Sequence, residues 1–165
     1  MLRIKNFLVK FAFVIAKSPL ISSKFRTFLY RLSGMKLLDN ACILPRCNFR
    51  SSNLSIGIES FINDGTTIFN EYAPVTIGNH CAIGPEVMMC TTTHIIGKPE
   101  SRADKHESKP IIIEDGCWIG TRAVLLPGII IRKGCIIAAG SVVTKNCEPN
   151  GLYAGVPAQR IKDLP

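Results

Sequence analysis

The sequence predicts an all-β fold, a parallel β-helix in which short strands wind around a narrow core. The main evidence is an aliphatic residue at every sixth position, a period that fits neither an α-helix nor a simple half-buried strand. The residue four places after each aliphatic is usually small, and glycine often follows the aliphatic itself. Each hexad of such a repeat forms one short strand and one turn, with both the aliphatic and the small residue pointing inward.

The repeat extends over most of the chain. The aliphatic positions are Ile56, Ile62, Ile68, Ile77, Ile83, Met89, Ile113, Ile119, Leu125, Ile131, Ile137 and Val143. The small positions are Ser60, Thr66, Cys81, Val87, Cys117, Ala123, Cys135, Ser141 and Cys147. Three hexads make one triangular coil of 18 residues, so the twelve hexads form four coils. Residues 42–55 are expected to form an irregular first coil.

Two insertions interrupt the repeat. Three extra residues fall within 69–76, and 18 extra residues form a loop over 95–112. Both come after the third hexad of a coil, so they leave from the same edge of the prism. Because loops on a rigid scaffold tend to carry function, we expect the functional site at this edge.

The seven cysteines fit the repeat rather than a disulfide or zinc framework. Cys81, Cys117, Cys135 and Cys147 occupy small inward positions, and the sequence has no CxxC pair. We therefore expect buried free thiols, which suit a reducing compartment such as the cytoplasm.

The net charge of +8 is concentrated at one end of the chain. Eight basic residues and no acidic residue precede Asp39, whereas the rest has twelve of each sign. This distribution argues against nucleic-acid binding by the repeat domain and favours an anionic surface near the N-terminus.

The N-terminal segment predicts two short helices. Apolar residues at helical spacing favour a helix over 1–16, too short to span a bilayer, and Pro19 ends it. A second helix is expected within residues 23–32. Two interpretations stay open: the helices pack on the first coil or a neighbouring subunit, or residues 1–18 make a peripheral contact with the inner face of a membrane.

His94 is the candidate catalytic residue, because it lies at the root of the long insertion and imidazole can act as a general base near neutral pH. His80 and His106 are expected to be solvent exposed. The three histidines lack the spacing of a zinc site, so no metal is expected.

Several motifs together resemble one known family. They are Ile77-Gly78-Asn79, Ile83-Gly84-Pro85, Thr91 to His94, Gly116 to Gly120, Ala139 to Lys145 and Ala154 to Ala158. Over residues 31–162 the chain resembles the hexapeptide-repeat acyltransferases of left-handed β-helical fold, and most of all the galactoside, maltose and polysaccharide O-acetyltransferases.

The resemblance implies roles for individual residues. It makes His94 the base that deprotonates an acceptor hydroxyl, and it places Asn63, Glu71 and Trp118 in the acceptor site. The residues that it implies for acetyl-CoA binding are Thr121, Ala139, Thr144, Lys145, Arg160 and Lys162.

The repeat arithmetic adds a prediction about assembly. His94 falls at the elaborated edge, whereas Asn63 and Trp118 fall at the next corner round, and one prism cannot bring two corners together. A closed ring of three chains would build three shared sites, and the resemblance likewise implies a homotrimer.

The expected organisation is a basic helical segment over 1–38, a β-helix domain over 39–148 and a tail over 149–165. The expected function is acetyl-CoA-dependent O-acetyl transfer to a sugar hydroxyl of a cell-surface polysaccharide or glycan precursor, directly and in the cytoplasm. Two alternatives remain: an N-acetyltransferase acting on an amino sugar or antibiotic, and a non-catalytic β-helical assembly protein.

Overall fold

Short parallel strands wind around a triangular core in a left-handed β-helix, as the hexads predict. The structure is a computed structural model that describes residue 9 and residues 11–165. Helix α1 (Ser23–Leu32) precedes the first strand. Each coil then contributes one strand to each of three sheets, which form the sides of the prism.

Five complete coils make up the prism. Coil 1 holds β1 (Lys36–Leu37), β2 (Cys42–Ile43) and β3 (Asn48–Phe49); coil 2 holds β4 (Leu54–Ile56), β5 (Phe61–Ile62) and β6 (Thr67–Phe69); coil 3 holds β7 (Val75–Ile77), β8 (Ala82–Ile83) and β9 (Met88–Cys90). Strands β10 (Thr92–Ile96) and β11 (Ala103–Ser108) follow, and coil 4 then holds β12 (Ile111–Ile113), β13 (Trp118–Ile119) and β14 (Val124–Leu125). Coil 5 holds β15 (Ile130–Ile131), β16 (Ile136–Ile137) and β17 (Val142–Val143), and β18 (Gly151–Gly155) and β19 (Ala158–Asp163) end the chain.

The three sheets keep equivalent residues in register. Sheet A joins β1, β4, β7, β12 and β15; sheet C joins β3, β6, β9, β14 and β17; sheet B joins β2, β5, β8, β13 and β16 and continues into β18 and β19. Ile77, for example, pairs with Ile56 on one side and with Ile113 on the other. All twelve predicted aliphatic positions are at most 2% exposed, and all nine small positions are at most 1% exposed. The predicted core is therefore confirmed.

Coil 1 differs from the sequence-based expectation. Residues 42–55 were expected to be irregular, yet β2 pairs with β5 and β3 pairs with β6 in the regular parallel register. Its inward residues are Leu37, Ile43 and Phe49, which are at most 7% exposed. The expectation was wrong because an aromatic residue takes the third inward position and one extra residue precedes Ile56.

The two insertions leave from one edge, as the phase of the repeat predicts. This edge, here the insertion edge, lies where the chain passes from sheet C of one coil to sheet A of the next. Residues 70–74 form the short insertion. The long one is an ordered antiparallel hairpin of β10 and β11, which begins at Thr92, before the expected loop over 95–112.

The cysteines are free, as expected, and four of them tie coils together. The thiol of Cys47 donates to the carbonyl oxygen of Asn63 at 3.2 Å. The thiol of Cys81 donates to the carbonyl oxygen of Glu114 at 3.1 Å, that of Cys117 to Arg132 at 3.1 Å, and that of Cys135 to Glu148 at 3.0 Å. Each acceptor lies one coil further along. A hydrogen bond with the Cys81 thiol, together with burial, raises the pKa of Cys117, and burial raises the pKa of Cys135 and Cys147, so these thiols stay protonated.

The helical residues pack on coil 1. Residues 11–16 are helical, and their inner residues Ala12, Phe13 and Ala16 are at most 8% exposed. The Tyr30 ring of α1 makes edge-to-face contacts with Phe13 at 5.7 Å and with Phe49 at 5.3 Å between ring centroids. The packing interpretation therefore holds for the inner faces of these helices.

Of the N-terminal predictions, those on residues 1–8 and 10 lie outside the described residues. In the part of the chain that the structure describes, no helix is long and apolar enough to cross a membrane.

Candidate functional site

A groove of about 590 Å³ runs along the outer side of sheet B. It is lined by Phe61, Asn63, Ala82, Gly84, Pro85, Trp118, Gly120, Thr121, Ile136, Ile137, Ala138, Ala139, Leu152, Lys162 and Leu164. Five residues that the sequence analysis singled out are among them: Asn63, Trp118, Thr121, Ala139 and Lys162. We call this feature the sheet-B groove.

The depth of the groove follows from the outward residues of sheet B. Phe61, Ala82 and Trp118 stand in register on three neighbouring strands. The small Ala82 between two aromatic residues leaves a gap whose walls are the rings of Phe61, 39% exposed, and Trp118, 56% exposed. The position of each ring is fixed by the inward residue that follows it, so the walls are set by the repeat.

Two glycines let the coils stack closely beside this gap. A Cβ on Gly84 would lie 2.8 Å from the backbone nitrogen of Thr121, and one on Gly120 would lie 2.6 Å from that of Ala139. Such distances are shorter than real Cβ contacts, so a side chain at either position would push the coils apart. The backbone of Thr121 and Ala139 can therefore line the groove closely.

The polar groups of the groove are few. The Oδ1 atom of Asn63 accepts a hydrogen bond from the backbone N–H of Asp64 at 2.9 Å. The Nδ2 atom of Asn63 has no acceptor among the described residues, so it is a donor available to a ligand. Lys162, on β19, supplies positive charge at one end. An apolar groove with a few convergent polar groups suits a small-molecule ligand.

The insertion edge holds a different set of residues. His94 on β10 stands opposite His106 on β11, and the two rings meet edge to face at 5.9 Å between centroids. His106 also contacts the ring of Tyr72 at 4.6 Å, and its Nε2 lies 3.4 Å from the Oγ of Ser108. The chain thus brings both insertions together around the two imidazoles.

His106 and Tyr72 were not predicted to belong to the site. His106 is solvent exposed, as expected, but it also supports the ring of His94. Its role depends on which residues of the hairpin stand opposite each other, and the sequence pattern does not show that register. Tyr72 could have been assigned to the site from the sequence, because it lies in the short insertion, which leaves from the same edge as the insertion with His94.

Glu71 lies on the insertion edge, beside Tyr72, and is exposed. Its neighbour Asn70 is buried and structural: its side chain accepts from the backbone N–H of Ser51 at 3.1 Å and donates to the carbonyls of Ser51 and Asn53. Glu71 therefore stands on the same side of the prism as His94 and not in the sheet-B groove with Asn63.

The remaining predicted residues divide between two places. Thr144 and Lys145 follow β17, so they are on the insertion edge, two coils beyond His94, and both are exposed. Arg160 is engaged within the chain: it donates to the carboxylate of Asp163 at 2.8 Å, to the Tyr153 hydroxyl at 3.1 Å and to the carbonyls of Glu148, Pro149 and Asn150. A ligand would have to replace one of these partners to bind Arg160.

The two sets do not meet within one chain. In a triangular prism the edge between sheets C and A lies opposite sheet B, and none of His94, His106, Tyr72 and Glu71 lines the groove. Among the described residues there is also no group of three or more His, Cys, Asp or Glu side chains that could hold a metal ion.

A left-handed prism of hexad coils is the fold of solved hexapeptide-repeat acetyltransferases. Residues 110–145 match the family model described as the hexapeptide repeat of succinyl-transferase. A putative acetyltransferase from Schizosaccharomyces pombe is 39% identical over 112 residues, which are 68% of this chain and 54% of that protein. The chain thus spans about half the length of this relative.

Two further comparisons cover more of both proteins. A putative colanic acid biosynthesis acetyltransferase from Escherichia coli K12 is 30% identical over 156 residues, 92% of this chain and 82% of that protein. A solved galactoside acetyltransferase in complex with coenzyme A superposes with a TM-score of 0.87 at 30% identity, covering 99% of this chain and 82% of that one. The chain belongs to the hexapeptide-repeat acetyltransferase family, which confirms the predicted fold and family.

Proposed function

We propose that the protein is an acetyl-CoA-dependent O-acetyltransferase that modifies a sugar hydroxyl of a cell-surface polysaccharide or glycan precursor. The observation that carries the proposal is the division of the implied residues between the sheet-B groove and the insertion edge with His94. The relatives add support for the acceptor class, since one is a galactoside acetyltransferase and another is assigned to colanic acid biosynthesis.

The groove fits acetyl-CoA by its shape and its donors. The glycine-lined backbone at Thr121 and Ala139 gives a flexible chain close access, and Lys162 offers a cation for phosphate. The Asn63 amide is free to donate to the acceptor near the thioester. Bound there, acetyl-CoA supplies the acetyl thioester. Trp118 would flank the reacting end.

His94 acts as the general base in this proposal. An imidazole nitrogen takes the proton of the acceptor hydroxyl as its oxygen forms the bond to the acetyl carbon, and the carbon–sulfur bond then breaks. The imidazolium returns the proton to the departing sulfur, so the enzyme ends in its starting state. Glu71 stands beside the acceptor on the same edge. The transfer is direct, with no acyl-enzyme intermediate.

The active form in this proposal is a homotrimer. The groove of one chain has to face the insertion edge of the next, because these features are on opposite sides of a single prism. The same arrangement would place Thr144 and Lys145 of one chain along the groove that holds Thr121 and Ala139 of its neighbour. Residues from two chains would then hold one acetyl-CoA molecule.

The proposal also locates the enzyme at the cytoplasmic face of a membrane, as a peripheral protein. Eight basic residues, of which Arg26 is buried, precede the first acidic residue, Asp39, and the rest of the chain is balanced in charge. Each Lys or Arg close to an anionic leaflet contributes about 1 kcal/mol to binding. Glycan precursors on lipid carriers are acceptors that would be met there.

Acetyl transfer from acetyl-CoA to a panel of sugars tests the proposal, with His94→Ala compared with His80→Ala. We expect His94→Ala to lower kcat by about 10²- to 10⁴-fold, the usual effect of losing a general base. His80→Ala is the matched control, because His80 is also exposed but pairs with Glu59 at 3.3 Å in a plain turn between sheets A and B. It should leave kcat unchanged.

Two results would reject the proposal in favour of an alternative. Acetylation confined to amino sugars would make the protein an N-acetyltransferase. The absence of both turnover and CoA binding would point to a β-helical assembly protein.

A further inference from the structure

Helix α1 buries Arg26 beside Leu29 and Tyr30, and it leaves two phenylalanines on its outer side. Arg26 is 2% exposed, whereas Phe25, Phe28 and Leu32 are 47%, 56% and 69% exposed. These three apolar residues recur at i, i+3 and i+7, so they share one face of the helix. The outer side of a normal surface helix is polar, so this second apolar stripe, opposite the buried Leu29 and Tyr30, is unusual.

Hydrogen bonds fix this orientation. The guanidinium of Arg26 donates to the carbonyl of Ala16 at 2.8 Å, to that of Ser18 at 2.9 Å and to that of Ile21 at 3.1 Å. A longer contact of 3.5 Å reaches Ile43 in coil 1. Because a buried guanidinium needs these acceptors, the helix cannot turn its phenylalanine face inward without leaving the charge unpaired.

Two aromatic rings lie side by side on the outer face of helix α1, and further exposed apolar residues lie in the segments before the helix. The rings of Phe25 and Phe28 stack at 6.2 Å with an interplanar angle of 23°. Leu20, in the turn before the helix, is 93% exposed, and Val14 in the preceding helical residues is 67% exposed. An apolar surface of this kind on a folded protein indicates a binding partner.

The charges on and around the helix indicate what that partner is. Lys24 and Arg31 are four residues before and three residues after Phe28, so they flank the phenylalanine face, and both are exposed. The Arg31 guanidinium keeps its charge while it donates to the carbonyl oxygens of Leu37 at 3.1 Å and Leu38 at 3.0 Å. A second copy docked through the same face would bring two basic segments together without any acid to pair with them. An anionic lipid surface complements both properties, because it accepts aromatic side chains at its headgroup boundary and attracts lysine and arginine.

We propose that the outer face of helix α1 docks on an anionic lipid bilayer, with Leu20, Phe25, Phe28 and Leu32 as apolar anchors and Lys24 and Arg31 as flanking cations. This proposal deepens the peripheral location proposed above and rests on it. It also moves the principal contact from residues 1–18 to helix α1.

Vesicle co-sedimentation of the full chain tests the docking surface. The vesicles are phosphatidylcholine alone or phosphatidylcholine mixed with phosphatidylglycerol, and no acetyl-CoA is present. We expect binding to the anionic vesicles only, weakening as salt is added. Phe25→Ser with Phe28→Ser should lower binding by roughly tenfold or more, because two aromatic anchors are lost. Lys24→Glu should lower it by about fivefold or more, since one attraction becomes a repulsion.

The matched control is Ile58→Ser with Met88→Ser, which replaces two exposed apolar residues away from helix α1. Their native side chains are 41% and 42% exposed, close to the 47% of Phe25. Its binding should equal that of the native chain. Leu32→Ser provides a second variant of the docking face, and thermal unfolding of each variant checks that the fold is retained. Substitutions test the docking face more specifically than deletion of residues 1–18, because the deletion would also remove the core residues Ala12, Phe13 and Ala16.

Several results would overturn the proposal: no binding to anionic vesicles, equal loss in the control variant, or unchanged binding after the phenylalanine substitutions. A lipid-free assembly larger than a trimer that the phenylalanine substitutions dissociate would make a second copy the occupant instead. Because lipid binding is measured without acetyl transfer, failure of the proposed reaction would leave this result unaffected, and the reverse also holds.

Discussion

The insertion edge and the sheet-B groove are built by opposite means. The groove consists of residues at fixed positions of the hexad, so each wall is held by the buried aliphatic beside it. The insertion edge consists of residues added to the repeat, and its imidazoles are held by a hairpin and by Tyr72 instead. Regular coils thus form the surface proposed for the cosubstrate, and irregular additions carry the residues proposed for the chemistry.

This difference has a consequence for how the family can vary. A change in the groove alters a residue that coil stacking also constrains, whereas a change in the hairpin disturbs little of the prism. Differences in acceptor specificity are therefore expected mainly on the insertion edge, whereas the groove residues are expected to vary less. For the two regions to form one active site, the groove of one chain has to meet the insertion edge of another.

Mixed trimers test that requirement and have the largest expected effect. His94→Ala chains lack the base, and Trp118→Ala chains lack a groove wall, so each trimer alone should be weak. Refolding them together in equal amounts should restore about one quarter of the sites, because an intact site needs an unaltered edge and an unaltered groove from different chains. Steady-state turnover before and after mixing measures the recovery. No recovery, with subunit exchange demonstrated, would refute a shared site.

A pair of glycine substitutions compares the rigidity of the two regions. Gly120→Ala places a Cβ 2.6 Å from the Ala139 nitrogen, and Gly97→Ala places one 2.3 Å from the Ser101 carbonyl oxygen. Both clash with backbone, but Gly120 lies between stacked coils and Gly97 lies in the exposed hairpin. We expect Gly120→Ala to lower the free energy of unfolding by about 1–3 kcal/mol.

For Gly97→Ala we expect a loss of less than about 0.5 kcal/mol in the free energy of unfolding, because the hairpin can open locally. Its kcat should nevertheless fall, since His94 is in the same hairpin. Denaturant unfolding and steady-state kinetics on both variants measure the contrast. Equal losses of stability would mean that the hairpin is as tightly constrained as the coils.

The smallest expected effect concerns His106 as a positioning residue for His94. His106→Ala removes the ring between His94 and Tyr72 and should lower kcat by roughly tenfold, since a misplaced base is a poorer one. His106→Phe keeps an aromatic ring in the same place, so its kcat should stay within about threefold of the native value. The KM for acetyl-CoA should not change in either variant. A loss in His106→Phe equal to that in His106→Ala would show that the imidazole nitrogens, and not ring packing, matter.

Much of the fold could be predicted because the position of a residue in the hexad determines whether its side chain is buried. A residue such as Ile83 or Cys117 has one allowed environment at its position in the hexad, and its neighbours in the sequence reveal that position. The phase of the insertions likewise predicted the edge that carries His94. Coil 1 was missed because Phe49 replaces the expected aliphatic and the spacing to Ile56 is seven.

The rest depends on contacts that the repeat does not encode. The hairpin consists largely of exposed residues with no apolar alternation, so neither its strands nor the pairing of His94 with His106 could be derived. The burial of Arg26 depends on carbonyl groups that helix ends leave unpaired, which only the packed structure reveals. Arg160 was assigned to phosphate by the resemblance, and its internal partners became visible only once β18 and β19 were paired.

The stacked thiols of successive coils can serve as probes of the order in which the coils unfold. A solenoid opens from its ends, since each coil is held mainly by its neighbours. Cys81, Cys117 and Cys135 each donate to a carbonyl one coil further on, so each sulfur becomes reachable by an alkylating reagent only after the next coil has left. If the C-terminal end frays first, labelling would proceed in the order Cys135, Cys117, Cys81. The time course of modification would then measure, coil by coil, the sequence of steps by which the prism unwinds.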